Sequence, residues 1–278
     1  MRPGIRLGIS PCPNDTFMFY ALIHHKVPFS HELDIHVKDV EELNRMALRQ
    51  DLDICKVSYH AAGILREHYE VLDAGSALGW GCGPMVVARP GEYDTPRPLK
   101  GKRIAIPGKY TTAHLLLRLY EPEVGETIPV LFSEIPIMVK DAVFDAGVII
   151  HESRFTYRDL GLRVLVDLGR WWEDSFGLPI PLGGIVAKRS LDPGLKQAFT
   201  EALKESIEYA WGHMEEVMPF MKMWAQEIQE DVIKSHISLY VNEYSMDLGE
   251  LGKKAVDFLF RLGIERGIFL ERTASCHD

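Results

Sequence analysis

His151 follows directly on Gly147-Val148-Ile149-Ile150, a run with the character of a fully buried strand. Its imidazole should emerge where that strand end meets a cleft, and histidine, which exchanges a proton near neutrality, suits general-base work there. A histidine bonded to nearby backbone has the same sequence signature. Lys56 ends a short, mostly apolar run that begins at Asp53. A cation at that strand end can pair with an anionic ligand while the Ser58 hydroxyl adds a directional hydrogen bond; a surface lysine is the competing reading. Two helix starts, Asn14-Asp15-Thr16 and Thr111-Thr112-Ala113, would aim free N–H groups and positive dipole ends at a carboxylate or phosphate. Asn14 and Thr111 could equally do no more than cap their helices.

The other reactive residue types form no recognised constellation. Cys12, Cys55, Cys82 and Cys276 lie far apart without a CxxC pair, so reduced thiols are expected rather than a zinc ribbon or a dithiol redox centre. Cys12, near a helix start, could be an activated nucleophile, but the adopted reading is a small filler residue in a tight turn. The spacing of His24, His25, His31 and His36 is unlike HExxH, and they read as solvated residues rather than metal ligands. No metal site is expected from these residues. Trp171 and Trp172 could stack on an aromatic substrate, or pack in the core or at a hinge. Phosphate-binding P-loop, GxGxxG and GxSxG patterns do not occur in the chain.

These residues need a scaffold, and the pattern supplies a strand-loop-helix order. Ile5-Arg6-Leu7-Gly8-Ile9 reads as a buried strand that Pro11 and Pro13 end before Asn14 or Asp15 caps a helix reaching about His25. Leu33, Ile35 and Val37 alternate with polar neighbours as a half-buried strand does, and Asp39 with Glu42 resembles a capping box. A helix over Leu43, Met46 and Ala47 precedes the strand at Asp53, and a further helix starts at Tyr59. Val71-Leu72 and Met85-Val86-Val87-Ala88 add strand material. Alternating strands and helices imply α/β architecture with parallel or mixed sheets.

Pro, Gly and charge concentrate between Arg89 and Gly101, as a crossing between lobes requires. Beyond it the order repeats: strand Arg103-Ile104-Ala105-Ile106, turn Pro107-Gly108, then a helix from Thr111-Thr112 through Leu119. An Asp opens a later strand in both units, Asp53 in one and Asp145 in the other, so the segment at Lys56 to Tyr59 matches the segment ending at His151. A second crossing is expected at Pro179 to Arg189, with helices over about 195–211, 215–225, 231–240 and 251–262 wrapping the first lobe and a loose tail after Arg266. The expected division is a large lobe of residues 1–92 and 182–278 and a small lobe of residues 93–181. Ligands of open α/β sheets bind at the carboxyl ends of strands, so the cleft is the expected site.

With 278 residues the chain can bury a sizeable core, and its formal charge of −9 repels nucleic acid phosphates. The apolar stretch at the N-terminus is too short for a signal peptide and nothing later approaches a membrane span, so a cytoplasmic protein with no membrane or nucleic acid partner is expected.

Four segments together resemble one family. Ser10-Pro11-Cys12-Pro13-Asn14-Asp15-Thr16-Phe17, Gly83-Pro84-Met85-Val86-Val87-Ala88-Arg89, Ile150-His151-Glu152-Ser153-Arg154-Phe155-Thr156-Tyr157 and the stretch from Asp167 to Gly184 are similar to signatures of the 1,4-dihydroxy-6-naphthoate synthases of the futalosine route to menaquinone. That resemblance implies a two-lobed fold of the periplasmic-binding-protein-like type II class, with mixed sheets and an interlobe cleft. It implies a lyase that converts cyclic dehypoxanthine futalosine to 1,4-dihydroxy-6-naphthoate and releases the remaining ribose-derived carbons as a small ketone, without metal or cofactor. The family's proton acceptor maps onto His151, and its substrate-binding segments map onto Lys56-Val57-Ser58 and Thr112-Ala113. The implied partner is a small carboxylated substrate; oligomeric state is left open. A chorismate dehydratase, against which His151 to Tyr157 argue, and a transport-system solute-binding protein are the competing classes.

Overall fold

The computed structural model describes residues 4–91, 99–225 and 229–269. Its first half runs β1 (Ile5–Ile9), α1 (Pro13–Ile23), β2 (Leu33–Val37), α2 (Val40–Leu48), β3 (Ile54–Ser58), α3 (Tyr59–Leu65), β4 (Tyr69–Val71) and β5 (Ala77–Gly79). There follow β6 (Met85–Ala88), β7 (Ile104–Ile106), α4 (Thr112–Tyr120), β8 (Thr127–Pro129), α5 (Ile135–Lys140), β9 (Ala146–Ile149) and α6 (Ser153–Thr156). After a 3-10 turn come β10 (Arg163–Asp167), α7 (Leu168–Phe176), β11 (Ile180–Lys188), α8 (Pro193–Gly212), α9 (Met214–Trp224), α10 (Glu230–Tyr240), α11 (Glu243–Met246) and α12 (Gly249–Glu265).

Two mixed sheets result, one per lobe. The first has the order β2-β1-β3-β11-β4 with β5 also on β11, and the second β10-β6-β9-β7-β8. In each, a strand pairs in parallel with both flanking strands, β1 with β2 and β3, β7 with β8 and β9, and then an antiparallel strand closes the set. The expected repeat is therefore present, down to its opening aspartates. Asp53 Oδ2 accepts the Arg6 N–H at 3.1 Å, and Asp145 Oδ2 accepts the Arg103 N–H at 2.8 Å.

Three expectations need correction. Met85–Ala88 belongs to the second sheet, antiparallel to β9 and β10, so the chain first crosses at residues 80–84 and not at Arg89 to Gly101. A short buried apolar strand fits either sheet by composition; its partners, more than fifty residues downstream, decide. Residues 92–98 of the expected crossing lie outside the described residues. The segment from Pro179 is itself strand β11, antiparallel to β3 in the first sheet. Finally, the chain past Arg266 is not loose as far as Phe269, whose ring fills the space over Gly63 and Gly263. Cys276 lies outside the described residues.

The C-terminal helices do cover the first lobe. Helix α1 is buried from Pro13 to Leu22 because α8, α9 and α10 pack on it, and an all-round apolar helix is stable only when enclosed in this way. Phe17, Phe19, Leu22, Phe199 and Leu203 meet there, each contributing roughly 1.5–3 kcal/mol of burial. The second lobe packs β6, β7 and β9 against α5 through Val87, Ala105, Ile135 and Val139. Trp172 is wholly buried against Phe176 and Phe258, with its indole N–H donated to Pro179 O at 3.2 Å, and Trp171 packs edge-on against Tyr120 and Phe176. Trp172 is a core residue, Trp171 is half-buried at the surface of that core, and neither lines the cavity.

Candidate active site

The carboxyl ends of the two sets of parallel strands face one cavity. From the first lobe Ser10, Asn14, Lys56, Val57, Ser58 and Tyr240 line it. From the second come Thr111, Thr112, Ala113, Ile150 and His151. All eight residues singled out from the sequence thus border one space: Asn14, Lys56, Val57, Ser58, Thr111, Thr112, Ala113 and His151.

His151 leaves β9 two residues past its end and adopts φ 53°, a left-handed backbone that costs a non-glycine residue about 1–2 kcal/mol. The bend starts α6, with Arg154 N–H bonded to His151 O at 3.2 Å. The half-buried imidazole has the Phe132 ring edge-on at 5.0 Å, the His236 ring nearly parallel at 6.1 Å, and its Nε2 is 3.6 Å from Cys12 Sγ. Burial pushes its pKa down to about 4; Asp15 pulls upward and Lys56 downward. At neutral pH the ring is uncharged, with one nitrogen able to take a proton.

Asn14 and Asp15 do not cap α1. Cys12 holds the N-cap position without a side-chain bond, and Pro13 occupies the first turn, where a missing N–H costs nothing. Asp15 is fully buried inside that turn. Its carboxylate accepts Ser10 N–H at 3.0 Å, Ser10 Oγ–H at 2.7 Å, Asn14 Nδ2–H at 2.9 Å and Lys56 Nζ–H at 2.5 Å. Lys56, 5% exposed, is therefore neither a surface lysine nor an uncompensated cation: its charge is already matched. Cys12 is a buried thiol with a pKa raised well above the ordinary value by burial, in line with filler rather than nucleophile, although it touches His151.

At α4 the expected cap is present, since Thr111 Oγ1 accepts the His114 N–H at 3.3 Å. Thr112 Oγ1 accepts the His60 N–H at 3.3 Å and donates to Leu182 O at 2.6 Å, and Thr111 O lies 3.1 Å from His60 Nδ1, so this helix start is tied to the first lobe. No acidic side chain occupies its first turn, and the buried Glu41 carboxylate beside it accepts the Lys109 and Tyr110 N–H groups of the preceding loop and not those of the helix. Opposite it, Ser58 N–H donates to Asn44 Oδ1 at 2.9 Å and Ser58 Oγ accepts from Asn44 Nδ2 at 3.2 Å. A hydroxyl that accepts in this way turns its own proton elsewhere. Likewise the expected box at α2 is half made: Asp39 accepts the Glu41 N–H at 2.9 Å, while Glu42 pairs with Arg49 at 3.7 Å.

Sequence reading missed His236 and Tyr240 of α10. His236 is wholly buried, its Nε2 is 3.0 Å from Asn14 Oδ1, and its Nδ1 has no hydrogen-bond partner among the described residues. The signal was available: Ile233, His236, Ile237 and Tyr240 form one buried face, and a histidine on an apolar helical stripe needs a polar partner.

The sequence and the fold find counterparts among known proteins. Residues 5–265 match the model of a family described as menaquinone biosynthesis. A 1,4-dihydroxy-6-naphtoate synthase of Thermus thermophilus is 47% identical over 265 residues, covering 95% of this chain and 96% of that one. The synthase of the same name from Streptomyces coelicolor is 41% identical, covering 95% and 94%. Among solved structures, a protein of Archaeoglobus fulgidus superposes with a TM-score of 0.89 at 35% identity over 95% of this chain and 98% of its own. The alkanesulfonate-binding protein SsuA from Xanthomonas axonopodis pv. citri shares the fold, with a TM-score of 0.74 at 14% identity over 98% and 96% of the two chains. Among the described residues no helix is long and apolar enough to cross a membrane. On this combination of near-complete sequence match and a two-lobed α/β fold with binding-protein-like relatives, the chain belongs to the menaquinone biosynthesis family.

Proposed function

We propose that this chain is a carbon-carbon lyase that converts cyclic dehypoxanthine futalosine to 1,4-dihydroxy-6-naphthoate, with His151 as general base. The observation that carries the reading is the convergence of a neutral His151 from one lobe and the Lys56-Val57-Ser58 strand end from the other on one cavity. Expelling the sugar-derived fragment requires removal of a proton while electrons flow toward the ring carbonyl system, and aromatisation of the second ring drives the step. His151 takes that proton. The N–H groups at the start of α4, with Thr111, Thr112 and Ala113 around them, hold the substrate carboxylate or a developing enolate, and Ser58 supplies a further donor. Lys56, already paired with Asp15, contributes positive potential rather than a private ion pair, and Asn14 shapes the wall beside it. Closure of the two lobes excludes water from the reacting carbons.

Neither a metal nor an organic cofactor is required by this scheme. The working partner is a small carboxylate in the cytoplasm, and the net charge of −9 argues against nucleic acid. Mass spectrometry of purified protein incubated with cyclic dehypoxanthine futalosine tests the reading. Formation of the naphthoate supports it; substrate returned unchanged at every concentration would point to a binding protein and discard the enzyme.

A further inference from the structure

Glu41 lies on α2 of the first lobe, yet its carboxylate is spent on the second. Oε1 accepts the Lys109 N–H at 2.9 Å and Oε2 accepts the Tyr110 N–H at 3.1 Å. Those amides belong to the loop between β7 and α4, and Thr111, which follows them, caps α4. The carboxylate can enter only because residue 108 is glycine: φ is +154°, and a Cβ there would overlap the Glu41 carboxyl group. At 6% exposed, Glu41 has left water to make this contact. Arg45 Nη2 offers a partial counter-charge at 3.5 Å.

The same carboxylate also reaches the opposite wall of the cavity. Asn44, one turn along α2 and wholly buried, donates from Nδ2 to Glu41 Oε2 at 3.4 Å and to Ser58 Oγ at 3.2 Å, and accepts the Ser58 N–H on Oδ1 at 2.9 Å. Glu41 and Asn44 therefore join the loop that leads into α4 to the Ser58 strand end through side chains of one helix. Nothing in this chain of bonds needs the substrate.

We propose that Glu41 and Asn44 are positioning residues: Glu41 clasps the two lobes in the closed arrangement, and Asn44 sets Ser58 in register with the start of α4. The clasp lets closure and assembly of the anion cradle occur as one event. That the cradle holds substrate rests on the function proposed above; the clasp itself does not.

Amide hydrogen exchange on full-length wild-type protein, Glu41→Ala and Glu41→Gln tests the clasp without substrate. Hydrogen bonds to an ionised acceptor are lost in Glu41→Ala, so Lys109 and Tyr110 exchange about ten- to a hundredfold faster while amides inside α4 stay protected. Glu41→Gln retains one acceptor and falls between. Spin labels, one per lobe, report a longer interlobe distance in Glu41→Ala than in wild type. Exchange within twofold of wild type, or an unchanged distance distribution, overturns the clasp. In turnover assays Glu41→Ala and Asn44→Ala raise KM about tenfold and lower kcat less, a split that simple loss of fold stability does not produce. Faster exchange with unchanged KM overturns the positioning role. Wild-type protein that makes no naphthoate fails the proposed reaction instead, and the exchange and distance measurements still decide the clasp.

Discussion

The starts of α1 and α4 border the same cavity and carry similar polar sequences, but they differ in where the neighbouring carboxylate sits: Asp15 lies inside the first turn of α1, and Glu41 lies on the loop before α4. At α1 an acid already lies in the first turn: Asp15, whose charge Lys56 balances and whose oxygens accept hydrogen bonds from Ser10 and Asn14. At α4 the cap is a neutral threonine and the first turn holds no acid. A helix with a carboxylate inside its own first turn has less left for a ligand than one whose neighbouring carboxylate, here Glu41, binds the preceding loop and not the first turn. The difference divides the labour. The α1 start packs against His151 through Cys12 and against His236 through Asn14, and in the proposed reaction the α4 start would receive the carboxylate.

Substitutions at the two ends should separate these roles. The largest effect is expected at the base side, where His151→Asn lowers kcat about 10²–10⁴-fold with little change in substrate affinity or melting temperature; near-normal turnover would remove it as the base. Next, Lys56→Met strands the Asp15 carboxylate among neutral donors and costs about 3 kcal/mol of stability in denaturant unfolding. Thr111→Ala at the other end should cost only about 1 kcal/mol, as a lost neutral cap does. Equal losses at the two ends would dissolve the electrostatic contrast.

Acid should act on both ends. Burial lowers the pKa of His151 and of His60, which bonds the Thr111 carbonyl, from 6.5 to about 4. Between those values the unfolded chain binds protons that the folded one refuses. Stability is thus complete above pH 6.5 and falls by about 1.4 kcal/mol per pH unit per histidine down to about pH 4. His60→Asn should shallow that slope in melting experiments, and an unaltered slope would refute the assignment. The smallest change is expected for Ser58→Ala: affinity for substrate weakens about fivefold, the worth of one neutral hydrogen bond, with kcat nearly preserved. Affinity equal to wild type would remove Ser58 from the cradle.

Much of the architecture was legible in the residues. Alternation at 33–37, the apolar run ending at Ile150 and the threonines at 111 and 112 identified strands, a strand end and a helix start because each depends on local period and capping chemistry. The repeat was legible too, since Asp53 and Asp145 open equivalent strands. Strand β6 was not, because Met85–Ala88 is apolar enough for either sheet and its neighbours arrive much later in the chain. His236 went unread because its meaning lies in Asn14, 222 residues away. Glu41 carries no distinguishing signal in the sequence, because its role depends on the loop at Gly108, nearly seventy residues on, coming up against it.

Local order, the types of the cavity residues and the place of the His151 imidazole just past a strand end were set by sequence alone, since side-chain chemistry and 2.0- or 3.6-residue periods need no distant partner. Charge state was decided by tertiary structure. Whether Lys56 meets a ligand or Asp15, and whether a helix end is occupied or open, depends on which groups share a low-dielectric space, and only the folded chain brings those groups together.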